Sequence, residues 1–108
     1  MRILLDECID GALRHCFPGH DCQTCRYAGL RGLDNGEFLA GTEKAGLEVL
    51  ITVDKNMPHQ QSLRGRAISL LVFQARTTDI DDLMALMPDA LAALEGLKPG
   101  DVVRIGIQ

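Results

Sequence analysis

Tryptophan is absent from the chain, and aromatic residues reach only 4% of its 108 positions. So thin a supply weakens any single-strand nucleic-acid mode built on a row of stacking platforms. A basic excess is missing too. The net charge is -4 and the isoelectric point near 5.2, which leaves no broad cationic footprint. A nucleic-acid partner would have to be held by a local patch or through metal ions. Long apolar runs are also wanting: none approaches the ~20 residues of a membrane span. The first residues carry neither the basic start nor the long apolar stretch of a signal peptide, so no membrane partner and a cytoplasmic location are expected.

What is present is ordinary globular composition, 46% hydrophobic and 24% charged. That argues against extensive disorder, and the length suits one domain spanning residues 1–108. Four cysteines, Cys8, Cys16, Cys22 and Cys25, fall near His15 and His20. Disulfides, zinc and redox work are open to such a set. Reduced thiols suit a cytosolic chain better. The "CQTC" pair lies in a segment that reads as a strand, where positions three apart face opposite ways and do not share one ion.

Along the chain, strands alternate with helices. "RILL" (2–5) is a short apolar run, and residues 7–16 place Cys8, Ala12, Leu13 and Cys16 at helical spacing. "FPGHD" breaks that helix. A weaker strand is expected at about 20–26, then the Gly-rich loop "YAGLRGLDNG" and a helix from near Asn35 toward Lys44, ending at Ala45 and Gly46. "EVLITV" (48–53) is too short and too β-branched for a helix. A single helical turn at 57–64 precedes the strand "AISLLVF" (67–73). A long helix follows, capped by Thr78 or Asp79 and kinked or divided at Pro88, and "KPGD" turns into the strand "VVRIGI". Near-continuous apolar strands alternating with helices predict a three-layer α/β/α domain with a mostly parallel five-stranded sheet.

Two strands end on carboxylates, Asp6 with Glu7 after "RILL" and Asp54 after "LITV". In open α/β sheets ligands bind outside the strands' carboxyl ends. With the first and third strands adjacent, as in a 2-1-3-4-5 order, Asp6 and Asp54 would lie about 5 Å apart. Carboxylates so close either share a proton or hold a cation, and Mg²⁺ or Mn²⁺ suits oxygen ligands. "GLDNGEF" brings a third acid, Glu37, to the first turn of the second helix. Each acid also has a plainer role: Asp34 with Glu37 as a capping box, Asp6 as a helix cap, Asp54 as a turn former.

"LLDE", "GLDNGEFL" and "VLITVDKNMPHQQSLRGR", followed by the "VF-A" strand, the Leu/Ala helix and "PGDVVRI", resemble the toxin-like branch of the PIN-domain superfamily across nearly the whole chain. The resemblance implies a Mg²⁺- or Mn²⁺-dependent ribonuclease, the toxin of a toxin-antitoxin pair. It implies Asp6, Glu37 and Asp54 as metal ligands, with Glu7 and Asn35 in support. Asn56 stands where many relatives carry a further Asp, and Met57 replaces a common Phe. The chemistry implied is hydrolysis of a phosphodiester by metal-activated water, with no side-chain nucleophile. Asn56 would orient a water or coordinate through its carbonyl. Lys55, Arg64 and Arg66 are the best local candidates for phosphate contacts or else the charges of a solvated loop, and Gln60 and Gln61 either meet RNA or tie down their own loop. His59 is a loop histidine with no evident partner. RNA, an antitoxin protein and a second copy of the chain are the partners to look for.

Two other readings compete. "DKNMP" resembles the stretch after the phosphoacceptor strand of response-regulator receiver domains, with "LLDE" as their acidic pocket. Against that stand "VFQA", which lacks a Ser or Thr at the end of the fourth strand, and Lys98, which precedes the last strand. A catalytically inactive PIN-like binding module is the third reading, prompted by Asn56.

Overall fold

Five short strands, four of them dominated by Leu, Ile and Val and one edge strand reading "DCQT", form one all-parallel sheet. A computed structural model describes residues 1–33, 35–57, 63 and 65–106. The strands are β1 (Arg2–Leu5), β2 (Asp21–Thr24), β3 (Val49–Thr52), β4 (Ser69–Gln74) and β5 (Val102–Gly106), and they lie in the order β2-β1-β3-β4-β5. The helices are a 3-10 helix at Gly11–Cys16, then α1 (Cys25–Ala28), α2 (Asn35–Lys44), α3 (Ile80–Met84) and α4 (Met87–Glu95).

Alternation along the strands divides the core in two. Ile3, Leu5, Val49, Ile51, Leu71 and Phe73 pack with Leu13 of the 3-10 helix, Leu83 of α3 and Ala90 and Leu94 of α4. Their neighbours in sequence, Leu4, Leu50, Leu70 and Val72, pack with Cys25 of α1 and Phe38 and Leu39 of α2. Both sheet faces are therefore covered, which is why the central strands read as unbroken apolar runs rather than alternating ones. Each such side chain, buried fully, contributes about 1.5–3 kcal/mol of transfer free energy.

Three expectations are corrected by local polar chemistry. The helix expected at 7–16 starts only at Gly11 and is 3-10, because Asp10 caps it by accepting from the Ala12 N–H at 2.9 Å. Residues 6–9 form a turn instead, with the Ile9 N–H donating to the Asp6 carbonyl at 3.0 Å. The second strand stops at Thr24, whose hydroxyl accepts from the Tyr27 N–H at 3.2 Å and opens α1. Cys25 thus lies on a helix and not on the strand with Cys22. The two thiols nevertheless stand on opposite sides of the sheet, Cys22 against one core half and Cys25 within the other.

Helix α2 spans the expected residues, and Gly46, at φ 77°, ends its exit turn in a left-handed conformation that other residues adopt only with strain. The long C-terminal helix is divided into α3 and α4, with Pro88 in the first turn of α4, where its missing N–H costs nothing. The expected turn at 57–64 lies largely outside the described residues, as do Asp34, His59, Gln60, Gln61 and Arg64.

Candidate metal and phosphodiester site

The order β2-β1-β3 reverses direction at β1, so the crevice at the carboxyl ends of β1 and β3 is the topological switch point where open α/β sheets receive ligands. Asp6 follows β1 there and Asp54 lies two residues beyond β3. Both line one cleft of about 370 Å³, together with Glu7, Cys8, Gly32, Leu33, Phe38 and Met57.

Register corrects the expected side-by-side placement of the two acids. Leu5 pairs with Ile51, and the Asp6 N–H donates to the Ile51 carbonyl at 2.9 Å, so Asp6 falls level with Thr52 rather than with Asp54. The Thr52 hydroxyl links the pair. It donates to Asp6 Oδ2 at 2.6 Å and accepts from the Asp54 N–H at 3.0 Å. Thr52 is fully buried, which makes this link part of the core as well as of the site. Asp6 Oδ1 accepts from the Glu7 N–H at 2.8 Å, and the Cys8 thiol lies 3.5 Å from Oδ2.

Asp54 is also the turn former, as the plainer reading had it. Its Oδ1 accepts from the Asn56 N–H at 2.9 Å and its carbonyl from the Met57 N–H at 3.2 Å. That turn sends Lys55 and Asn56 outward, both exposed, and buries Met57 beneath the cleft. Glu7 acts as a tether: its Oε1 accepts from the Gly32 N–H at 2.8 Å and holds the loop before α2 over the sheet edge. Asn35 opens α2, and Glu37 is exposed in its first turn, where an acid suits the helix dipole. Phe38, not Glu37, is the α2 residue among the described cleft walls.

Arg66 is placed elsewhere. It precedes β4 and is paired with Glu43 near the end of α2, at the amino edge of the sheet. Glu43 accepts from the Ala67 N–H as well, at 3.0 Å. These two donors, the amide first, hold the Glu43 carboxyl below its usual range. Arg66 therefore braces the α2–β4 connection, at the opposite end of the sheet from Asp6 and Asp54.

The thiols around the site are protonated ones. Burial, then the Asp6 and Glu7 charges, push Cys25 up to about 12, and its Sγ donates to the Leu5 carbonyl at 3.1 Å. Cys22 is likewise pushed to about 12, chiefly by burial. Cys8 is raised by loss of solvent and by Asp6. The free thiolate that zinc ligation or redox exchange needs is disfavoured at all three.

The donor chemistry suits a hard cation in a restricted sense. Among the described residues no group of three or more His, Cys, Asp or Glu side chains converges as a ready-made metal cage. Mg²⁺ commonly takes only one or two carboxylates and keeps waters or substrate phosphates for the rest. Asp6 and Asp54, each with lone pairs beyond those already bonded, meet that demand; Glu37 is not needed for it. Thr52 is the site residue that sequence reasoning missed, since a threonine in "LITV" reads as a β-branched strand former. No family model, curated protein or solved structure matches the chain.

Proposed function

We propose that the chain is a PIN-like, Mg²⁺- or Mn²⁺-dependent ribonuclease of toxin type, neutralised by an antitoxin protein. The observation that carries this reading is the placement of Asp6 and Asp54 in one cleft at the β1/β3 switch point. Asp6 and Asp54 would hold the ion. When bound, the ion supplies an activated water and neutralises charge on the scissile phosphate and leaving oxygen. The chain's own residues supply orientation. Thr52 fixes the Asp6 carboxylate from a buried position, the Asp54 turn presents Lys55 to solvent beside the cleft, and Glu7 anchors the loop over it. Asn56, exposed next to Asp54, would make a polar contact to substrate or water without adding charge.

The receiver-like reading has one observation in its favour, since 2-1-3-4-5 is also the strand order of those phosphoacceptor domains. Two placements weigh against it. Lys98 sits in the turn before β5, its N–H donating to the Asp101 carboxylate at 2.9 Å, at the far edge from Asp54. The fourth strand ends on Gln74. The test is cleavage of a mixed RNA pool by wild type, Asp6→Asn and Asp54→Asn with Mg²⁺ or Mn²⁺. The nuclease reading expects both variants to fold and neither to cut; unchanged cutting by both would sink it. Phosphorylation of Asp54 by a small phosphoryl donor would favour the receiver.

A further inference from the structure

A second cleft, of about 340 Å³, opens on the other side of Asp6 and Glu7 and is walled by Thr24, Arg26 and Arg31. The two clefts share both acids, so they form one groove along the carboxyl ends of β3, β1 and β2. Two carboxylates alone would repel a polyanion from it. Two guanidiniums oppose them, and neither has an ion-pair or side-chain hydrogen-bond partner among the described residues. Of the other described arginines three are committed, and Arg76 and Arg104 lie outside both clefts. Arg2 meets Asp21 and the Gly46 carbonyl, Arg14 the Gly11 carbonyl, and Arg66 the Glu43 carboxylate. Beyond Thr24, which walls the next depression as well, stands Tyr27. It is the chain's one tyrosine, and it is 80% exposed. An aromatic ring left in water one residue along α1 from Arg26, in a depression that adjoins the arginine-lined cleft at Thr24, offers what a single strand needs: charge for phosphates and a face for one base.

We infer that Arg26, Arg31 and Tyr27 form a single-stranded RNA track that leads to the acids from the β2 side, the arginines holding phosphates and the tyrosine stacking a base. This rests on the ribonuclease reading and names where the substrate lies. It also adds to Lys55, which follows the cleft residue Asp54 on the β3 side.

Because the chain has one tyrosine and no tryptophan, its emission reports Tyr27 directly. A short oligouridylate is titrated without divalent ions, correcting for RNA absorption, while anisotropy of a labelled copy follows binding. Wild type is expected to show tyrosine quenching that tracks binding. Arg26→Ala/Arg31→Ala should weaken binding about ten-fold or more and lower the slope of log K against log salt by about 1.4, the share of two single-strand phosphates. Tyr27→Ala should weaken binding and leave that slope unchanged. Arg104→Ala, on β5, should leave both unchanged. An unchanged affinity and slope in the arginine pair, or RNA bound with no change in tyrosine emission, would overturn the track. If wild type still cuts RNA in Mn²⁺, the nuclease reading survives that loss. Wild type that neither binds nor cuts RNA overturns both.

Discussion

Replacing Thr52 with valine keeps the shape of a buried side chain and deletes the hydroxyl that joins Asp6 to Asp54. Two close bonds go with it, and a long one shared with the Cys8 thiol at 3.9 Å. The bond to the Asp6 carboxylate is of the charged kind, worth about 1.5–3 kcal/mol. The low end applies, because Asp6 is only half-buried and keeps the Glu7 amide. The Asp54 N–H loses its acceptor, which costs about 1 kcal/mol where water can still approach. Together they predict a loss of about 2–3 kcal/mol, a drop in Tm of about 10 °C or more for a domain of this size. Urea unfolding should show a lower midpoint with an unchanged slope. Thr52→Ser keeps the hydroxyl and loses one methyl, so it should cost about 1 kcal/mol. A valine variant within about 0.5 kcal/mol of wild type, or a serine variant less stable than the valine one, would mean that the hydroxyl does not hold the two acids together.

Glu43 gives a pH signature. Its carboxyl is held below the ordinary value of 4.5 by Ala67 and Arg66, so its stabilisation is full above that pH and is lost as pH falls through the folded-state value. Glu43→Gln should therefore be less stable than wild type near neutrality, and the gap in midpoint should close in unfolding curves taken below about pH 4.5. Gly106 has φ 111°, and a Cβ there would stand 2.6 Å from the Gln74 carbonyl oxygen. Gly106→Ala should lose about 2 kcal/mol or more in the same assay, and a neutral result would mean that the β4–β5 edge relaxes freely.

The sheet was legible because its signal is redundant. "EVLITV" and "AISLLVF" are too apolar and too β-branched to be anything but buried strands, and a parallel sheet follows from the alternation of strands with helices along the chain. The failures trace to single polar side chains acting on their neighbours. Asp10 and Thr24 accept backbone N–H groups and set where a 3-10 helix and α1 begin, which hydrophobic spacing does not report. Arg66 lies close in sequence to the candidate site yet pairs with Glu43, because chain proximity carries no information about which sheet edge a connection occupies. The strand-end acids were legible as candidates. Their two-residue offset and the Thr52 hydroxyl between them were not, since both depend on β1–β3 register.

The most direct measurement is a Mn²⁺ titration of wild type and Asp54→Asn that follows thermal unfolding and RNA cleavage in the same samples. Wild type is expected to gain stability with ion concentration, by about 2.7 kcal/mol at a hundred-fold excess over Kd, with cleavage rising in parallel. Both responses should vanish in Asp54→Asn, while its ion-free unfolding stays cooperative. A wild type whose unfolding and cleavage are both indifferent to Mn²⁺ would contradict the claim that the strand-end acids form a cation site.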